Sequence, residues 1–252
     1  MEDSITLRPQ PGFQEKFLSS SADIVIGGSG AGVGKSWALL LEYLRNKDIK
    51  GFNSVFFRRT SPQITLPDGL WDTSMKIYPH VGAIPIKSNY RWSFRDEKNN
   101  EVSKLKFSHL EYETNLLDWM GSQIGYLAFD ELTHFSEKMF FYLLSRNRST
   151  CGVKPYVRAT CNPDPDSWVA KIIEWWIDQQ TGYPIPERDG VIRYFIKDGK
   201  NYIWGDSIKE VLEKAKYFVT KITDANPEIK PETLVKSLTF ISGSIYDNKK
   251  LL

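Results

Sequence analysis

The 252-residue chain is 41% hydrophobic and 25% charged, enough apolar material for the core of one large domain. Its 33 basic and 31 acidic side chains leave a formal charge of +2, so bulk basicity is excluded as a route to nucleic acid and only a local patch could serve. Cys151, Cys161 and three scattered histidines offer no metal-ligand spacing, and no apolar run approaches the roughly 18 residues of a membrane span. These features describe a soluble intracellular protein with reduced thiols.

The first strong element is Asp23-Ile24-Val25-Ile26, a β-rich run that ends in the glycine cluster from Gly27 to Gly34. A helix follows, with Trp37, Leu40, Leu41 and Leu44 at the spacing of one apolar face. Residues 53–58 read as a second strand, and prolines at 62, 67, 79 and 85 keep the elements after it short. Residues 90–94 and 102–107 read as paired strands across the turn 96–100. Residues 124–129 form a buried strand ending at Asp130-Glu131, followed by a helix with Met139, Phe140, Leu143 and Leu144 inward.

Residues 156–161 are another strand, closed by Asn162-Pro163-Asp164-Pro165. Helices over 167–179 and 207–221 flank a hairpin at 191–204. Strands alternating with helices predict an α/β fold, a mainly parallel sheet with helices on both faces. We expect one domain over residues 1–225 and a connector over 226–252.

The segment Ser29-Gly30-Ala31-Gly32-Val33-Gly34-Lys35-Ser36 carries the chemistry. A phosphate chain needs close backbone N–H donors, a helix N-terminus and a mobile cation, and glycines let the loop wrap with its N–H groups inward. Lys35 can reach the β and γ phosphates of a nucleotide, and the Ser36 hydroxyl can ligate magnesium. The phosphate-loop pattern has glycine where Ser29 stands.

Four apolar residues precede Asp130 and Glu131, which places both acids at the carboxyl end of a strand, where ligands bind parallel sheets. Asp130 is expected in the magnesium shell, and Glu131 is expected to polarise the attacking water. A second carboxylate beside the metal-binding one favours hydrolysis of ATP, and the P-loop branch with a strand added between the phosphate-loop and acid strands. Thr160 and Asn162 end the next strand, where Asn162 either reports the γ-phosphate or forms an ordinary Asn-Pro turn.

Together these segments resemble the large terminase subunit, the DNA-packaging motor of tailed bacteriophages. The likeness rests on Pro11-Gly12-Phe13-Gln14, the phosphate loop, the Asp130-Glu131 strand, Thr160-Cys161-Asn162-Pro163, and a tail of residues 237–241 with Tyr246-Asp247-Asn248. It implies the additional-strand (RecA-like) P-loop fold and an adenine-recognising role for Gln14. It also implies a homo-oligomeric ring that hydrolyses ATP with Mg2+ to drive viral double-stranded DNA into a procapsid. The implied partners are the portal protein and the small terminase subunit, in the host cytoplasm and transiently on the procapsid. The family's nuclease domain would follow the connector and is not expected within this chain. Many relatives carry an arginine inside the phosphate loop, where this chain has Ser29, Ala31 and Val33.

A ring ATPase calls for a cation on the γ-phosphate. The catalytic candidates are, in order, Arg58, Arg146, Arg148 and Arg59, each with the ordinary alternative of a solvated arginine or surface ion pair. Two rival functions are another additional-strand ATPase acting on nucleic acid and a non-hydrolysing nucleotide-binding assembly protein.

Overall fold

A computed structural model describes residues 6–30 and 32–249, and all of its named strands belong to one sheet. In chain order they are β1 (Ile24–Gly28), β2 (Asn53–Arg58), β3 (Ile84–Ile86), β4 (Arg91–Arg95), β5 (Glu101–His109), β6 (Tyr126–Phe129), β7 (Tyr156–Cys161), β8 (Arg193–Asp198), β9 (Asn201–Gly205) and β10 (Lys236–Ser242). Their order in space is β3-β4-β5-β2-β6-β7-β1-β10-β8-β9. The central strands β5-β2-β6-β7-β1-β10 pair in parallel, and antiparallel strands extend both edges. The fold is the expected P-loop architecture: β7 lies between the phosphate-loop strand β1 and the acid strand β6.

The central strands are apolar on both faces because both are covered. Ile24, Ile26, Leu127, Phe129, Val157 and Ala159 pack on one side with α5 (Glu137–Leu144) and α6 (Trp168–Ile173). Val25, Phe56, Tyr126 and Ala128 pack on the other with α1 (Phe13–Ser19), α2 (Lys35–Leu44) and α4 (Leu70–Met75); α3 (Pro62–Thr65) is a single turn before α4. The hairpin β8–β9 packs under α7 (Ile208–Lys214) and α8 (Lys216–Ala225) around Ile196, Val211 and Val219.

Several expectations are corrected. The helix after the phosphate loop buries Ala38, Leu39, Leu40 and Tyr43, while Trp37, Leu41 and Leu44 are only partly covered. It meets α1 and α4 as well as the sheet, so its buried arc is not the one its periodicity marks. Leu144 is likewise only partly buried. The helix expected over 167–179 ends at Ile173 in a tighter turn, Glu174–Trp176, and that over 207–221 is broken at Ala215.

Residues beyond 225 also enter the sheet. In β10, Leu238, Thr239, Phe240 and Ile241 are buried against β1, pairing Ile24 with Leu238 through to Gly28 with Ser242. Residues 236–242 of the expected connector are thus an interior strand of the sheet.

Candidate functional site

The parallel register brings the ends of β1, β7, β6 and β2 to one edge. Gly28 pairs with Cys161, Phe129 with Ala159, and Phe57 with Phe129. The Ser29 N–H then donates to the Cys161 carbonyl at 3.3 Å, and the Asp130 N–H to the Phe57 carbonyl at 3.0 Å. The residues that leave these strands enter the same crevice.

The phosphate loop is shaped by backbone that favours glycine: Gly32 and Gly34 lie at φ 89° and 82°. At Gly34 a Cβ would also stand 2.5 Å from the Gln14 amide nitrogen, so a side chain there would strain the backbone and displace the Gln14 amide. Helix α2 begins at the next residue, which places Lys35 and Ser36 in its first turn. Ser29, Gly30, Gly32, Val33, Gly34, Lys35 and Ser36 run from the end of β1 into the first turn of α2; Ala31 lies outside the described residues.

Lys35 is buried, and its ammonium donates to the carbonyls of Ser29 (2.7 Å) and Gly30 (3.0 Å) and to Asn162 Oδ1 (2.6 Å). Three acceptors match its three donors. Burial pulls its pKa below the ordinary lysine value, against the opposing charges of Glu131 and Asp130.

Asp130 is 2% exposed and is held from several sides. Its Oδ1 accepts from Thr160 Oγ1 at 2.7 Å, and Ser36 Oγ lies 3.4 and 3.2 Å from its two oxygens. Arg58 Nε approaches Oδ2 to 3.1 Å, an ion pair off the hydrogen-bond direction. Glu131 sits in the left-handed region at φ 62°, a conformation that costs about 1–3 kcal/mol for a residue with a side chain. Its N–H donates to Thr160 Oγ1 at 3.3 Å. Its carboxylate accepts from the Asn162 N–H (3.1 Å) and the Asn162 amide group (3.3 Å). Asn162 therefore bridges Lys35 and Glu131, and Thr160 ties together the two acids.

A sequence profile described as "Terminase large subunit, T4likevirus-type, N-terminal" matches residues 26–251. The chain belongs to this large terminase family. A comparison with curated protein sequences finds no match. Among solved structures, the fold resembles the large terminase of a thermophilic bacteriophage, with TM-score 0.56 and 14% identity over 96% of this chain and 47% of that one. The same phage protein in complex with ADP matches with TM-score 0.54 and 12% identity, covering 95% and 46%. The large terminase ATPase domain of Thermus phage P74-26 matches with TM-score 0.51 and 14% identity, covering 88% and 95%. The chain thus spans about half the length of the first of these terminases.

The remaining candidates in this terminase chain fall in different places. Gln14 is 4% exposed behind the phosphate loop; its Oε1 accepts from the Gln10 N–H at 2.8 Å and its Nε2 donates to the Gly34 carbonyl at 3.1 Å. Arg58 lies in the crevice beside Asp130. Arg59 is turned away, donating to the Leu110 carbonyl at 3.0 Å. Arg146 and Arg148 are not brought to the site. The Ile124 N–H donates to the Arg146 carbonyl at 3.0 Å, at the start of β6, roughly 20 Å along the strand direction from Asp130. Arg146 stacks over Tyr142 at 4.9 Å, and Arg148 Nε donates to the Ser145 carbonyl at 2.9 Å.

Two residues that shape the site carry no signal of that role in the sequence. Gln10 Nε2 donates to Asn248 Oδ1 at 3.1 Å, and the Asn248 amide donates to the Gly32 carbonyl. The two segments are 238 residues apart, and no spacing rule links them.

Proposed function

We propose that this chain hydrolyses ATP to ADP and phosphate, and that it does so as the motor domain that drives viral double-stranded DNA into a procapsid. The observation that carries the reading is the convergence of Lys35, Ser36, Asp130, Glu131 and Asn162 on one strand-end crevice, in a chain of the large terminase family. A relative in fold, the thermophilic phage's large terminase, is known in complex with ADP, which supports a nucleotide as the ligand.

The donor set suits magnesium. The Ser36 hydroxyl and Asp130 carboxylate are hard oxygen donors side by side. Among the described residues no group of three His, Cys, Asp or Glu assembles, which fits a cation that takes its other ligands from phosphate and water. When bound, Mg2+ neutralises charge on the phosphate oxygens. Thr160 and Arg58 hold the Asp130 carboxylate in its orientation and keep a cation beside it.

Glu131 takes the proton of the attacking water as the water oxygen bonds to the γ-phosphorus and the bond to the β-γ bridging oxygen breaks. Asn162 fixes that carboxylate through two donors. Lys35, in exchange for its present acceptors, balances the charge that collects on the leaving phosphate. Arg58 is the in-chain candidate for the remaining cation. Arg146, at the far end of the strands, could act only on a neighbouring copy in a ring. The double-stranded DNA, portal protein, small terminase subunit and cytoplasmic setting follow from the same family reading.

Phosphate release by the purified chain with Mg-ATP is the test. Lys35→Ala is expected to abolish it and to weaken nucleotide binding. Turnover by Lys35→Ala within about threefold of wild type, under roughly 1 kcal/mol in the barrier, would overturn the phosphate-loop assignment.

A further inference from the structure

Strand β10 runs parallel to β1 and ends level with it, Ser242 opposite Gly28, so the chain leaves β10 at the edge where the phosphate loop leaves β1. The residues that follow stay against the loop. The Gly243 N–H donates to the Gly28 carbonyl at 3.0 Å. A Cβ on Gly243 would stand 2.7 Å from Val33 Cγ1 and 2.9 Å from the Phe13 ring, so this close approach requires glycine.

Ser244 then opens a tight turn over Ile245–Asp247. Its hydroxyl accepts the Tyr246 N–H at 3.3 Å, and its own N–H donates to Asp247 Oδ2 at 2.8 Å. The turn delivers Asn248, which is 9% exposed, to the phosphate loop. The Asn248 amide nitrogen donates to the Gly32 carbonyl, and its Oδ1 accepts from Gln10 Nε2 at 3.1 Å. The Lys249 N–H donates to Gln10 Oε1 at 2.9 Å. Each amide therefore orients the other: Gln10 meets the Asn248 oxygen, which leaves the Asn248 nitrogen facing Gly32.

That contact bears on the loop's own donors. The Gly32 carbonyl and the Val33 N–H belong to one planar trans peptide and point in opposite directions. A donor that holds the carbonyl on Asn248 fixes the Val33 N–H on the other side of the peptide. Backbone N–H groups are what a phosphate loop offers its anion, and donors already in place lose less freedom when the anion binds. Gly32 itself lies at φ 89°, a conformation that glycine adopts freely and so does not by itself hold.

We propose that Asn248 is a positioning residue for the phosphate loop: it fixes the Gly32–Val33 peptide with its N–H toward the phosphates, and Gln10 orients Asn248. The inference rests on the nucleotide-binding reading of the loop and adds to it a residue from beyond β10.

Binding of Mg-ATP and of magnesium tripolyphosphate, which has the phosphates and no nucleoside, is measured on the full 252-residue chain. Asn248→Ala removes the amide; Asn248→Asp keeps its shape and the acceptor for Gln10 but has no N–H for Gly32. Both are expected to weaken ATP and tripolyphosphate by the same factor, about tenfold. Gln10→Ala should weaken both less, and the Gln10→Ala/Asn248→Ala double variant should bind within about twofold of Asn248→Ala, because Gln10 acts through Asn248. In the nucleotide-free chain, amide hydrogen exchange should quicken over residues 29–36 in both Asn248 variants and stay as in wild type across β6 and β7. Tripolyphosphate affinity unchanged in both variants would overturn the inference, and a loss confined to ATP would do so by placing Asn248 on the nucleoside. Faster exchange throughout the sheet would make Asn248 a general stabiliser and also overturn it. A wild-type chain that binds neither probe would overturn the phosphate-loop reading, whereas unchanged exchange over residues 29–36 would overturn this inference alone.

Discussion

The Lys35 ammonium, in the first turn of α2, donates at 2.6 Å to the side-chain oxygen of Asn162, just past β7 and 127 residues away in the chain. The same Asn162 holds the Glu131 carboxylate through its backbone and side-chain N–H groups. One amide thus connects the cation of the phosphate loop to the carboxylate proposed to polarise water. Its side chain offers an acceptor to one and a donor to the other, which an aspartate or an alanine could not do.

Asn162→Ala is expected to separate binding from turnover. Glu131 keeps the backbone N–H of residue 162 but loses the amide, so its carboxylate is less well aimed. We expect phosphate release to fall about tenfold or more while ATP affinity stays within about threefold, the pattern of a group that acts mainly in the transition state. Equal losses in kcat and in affinity would place Asn162 in ground-state binding instead.

Thr160→Val tests the tie between the two acids. The substitution keeps the buried volume but removes the hydroxyl that donates to Asp130 and accepts from the Glu131 N–H. Leaving these buried groups short of partners is expected to cost about 1–3 kcal/mol of stability. Thermal unfolding should shift down by about 2–4 °C per kcal/mol for a chain of this size. An unshifted melting temperature would show that Thr160 does not hold the pair.

The phosphate loop and acid strand were legible because their signals are local. Strand, glycine turn, Gly34-Lys35-Ser36 and helix follow in sequence, and β6 is a continuous apolar run because it is covered on both faces. The strand order was legible only as a class: the reading of Glu131 implied an added strand, and β7 fills that place.

What stayed hidden depends on distant partners. The run Leu238-Thr239-Phe240-Ile241 has the composition of a strand, but its interior place in the sheet is decided by pairing with β1 and β8. The inward face of α2 depends on α1 and α4, which its own periodicity cannot register. The left-handed backbone of Glu131 goes with its hydrogen bonds to Thr160 and Asn162, and its sequence neighbours do not signal it. The link from Gln10 through Asn248 to Gly32 joins the two ends of the described chain.

The two cysteines should differ sharply toward alkylation. Cys161 ends β7 fully buried, and burial pushes its thiol up to about 12, against the partly offsetting charge of Lys35. A raised thiol pKa means the reactive thiolate is scarce below that value and grows only as pH rises toward it. Cys151 is partly exposed. Iodoacetamide at about pH 8, just below the ordinary thiol pKa, followed by peptide mass spectrometry should label Cys151 in the folded protein and Cys161 only after unfolding. Comparable labelling of both in the folded state would contradict the burial of the β7 end.

The most direct measurement is phosphate release by Glu131→Gln alongside its ATP affinity. Glutamine retains the shape and an acceptor oxygen but cannot take the proton of water. Turnover is expected to fall by about 10² to 10⁴ with ATP still bound about as tightly as by wild type, since the phosphate loop is untouched. Turnover by Glu131→Gln within about threefold of wild type would contradict the assignment of Glu131 as the residue that activates water in this terminase chain.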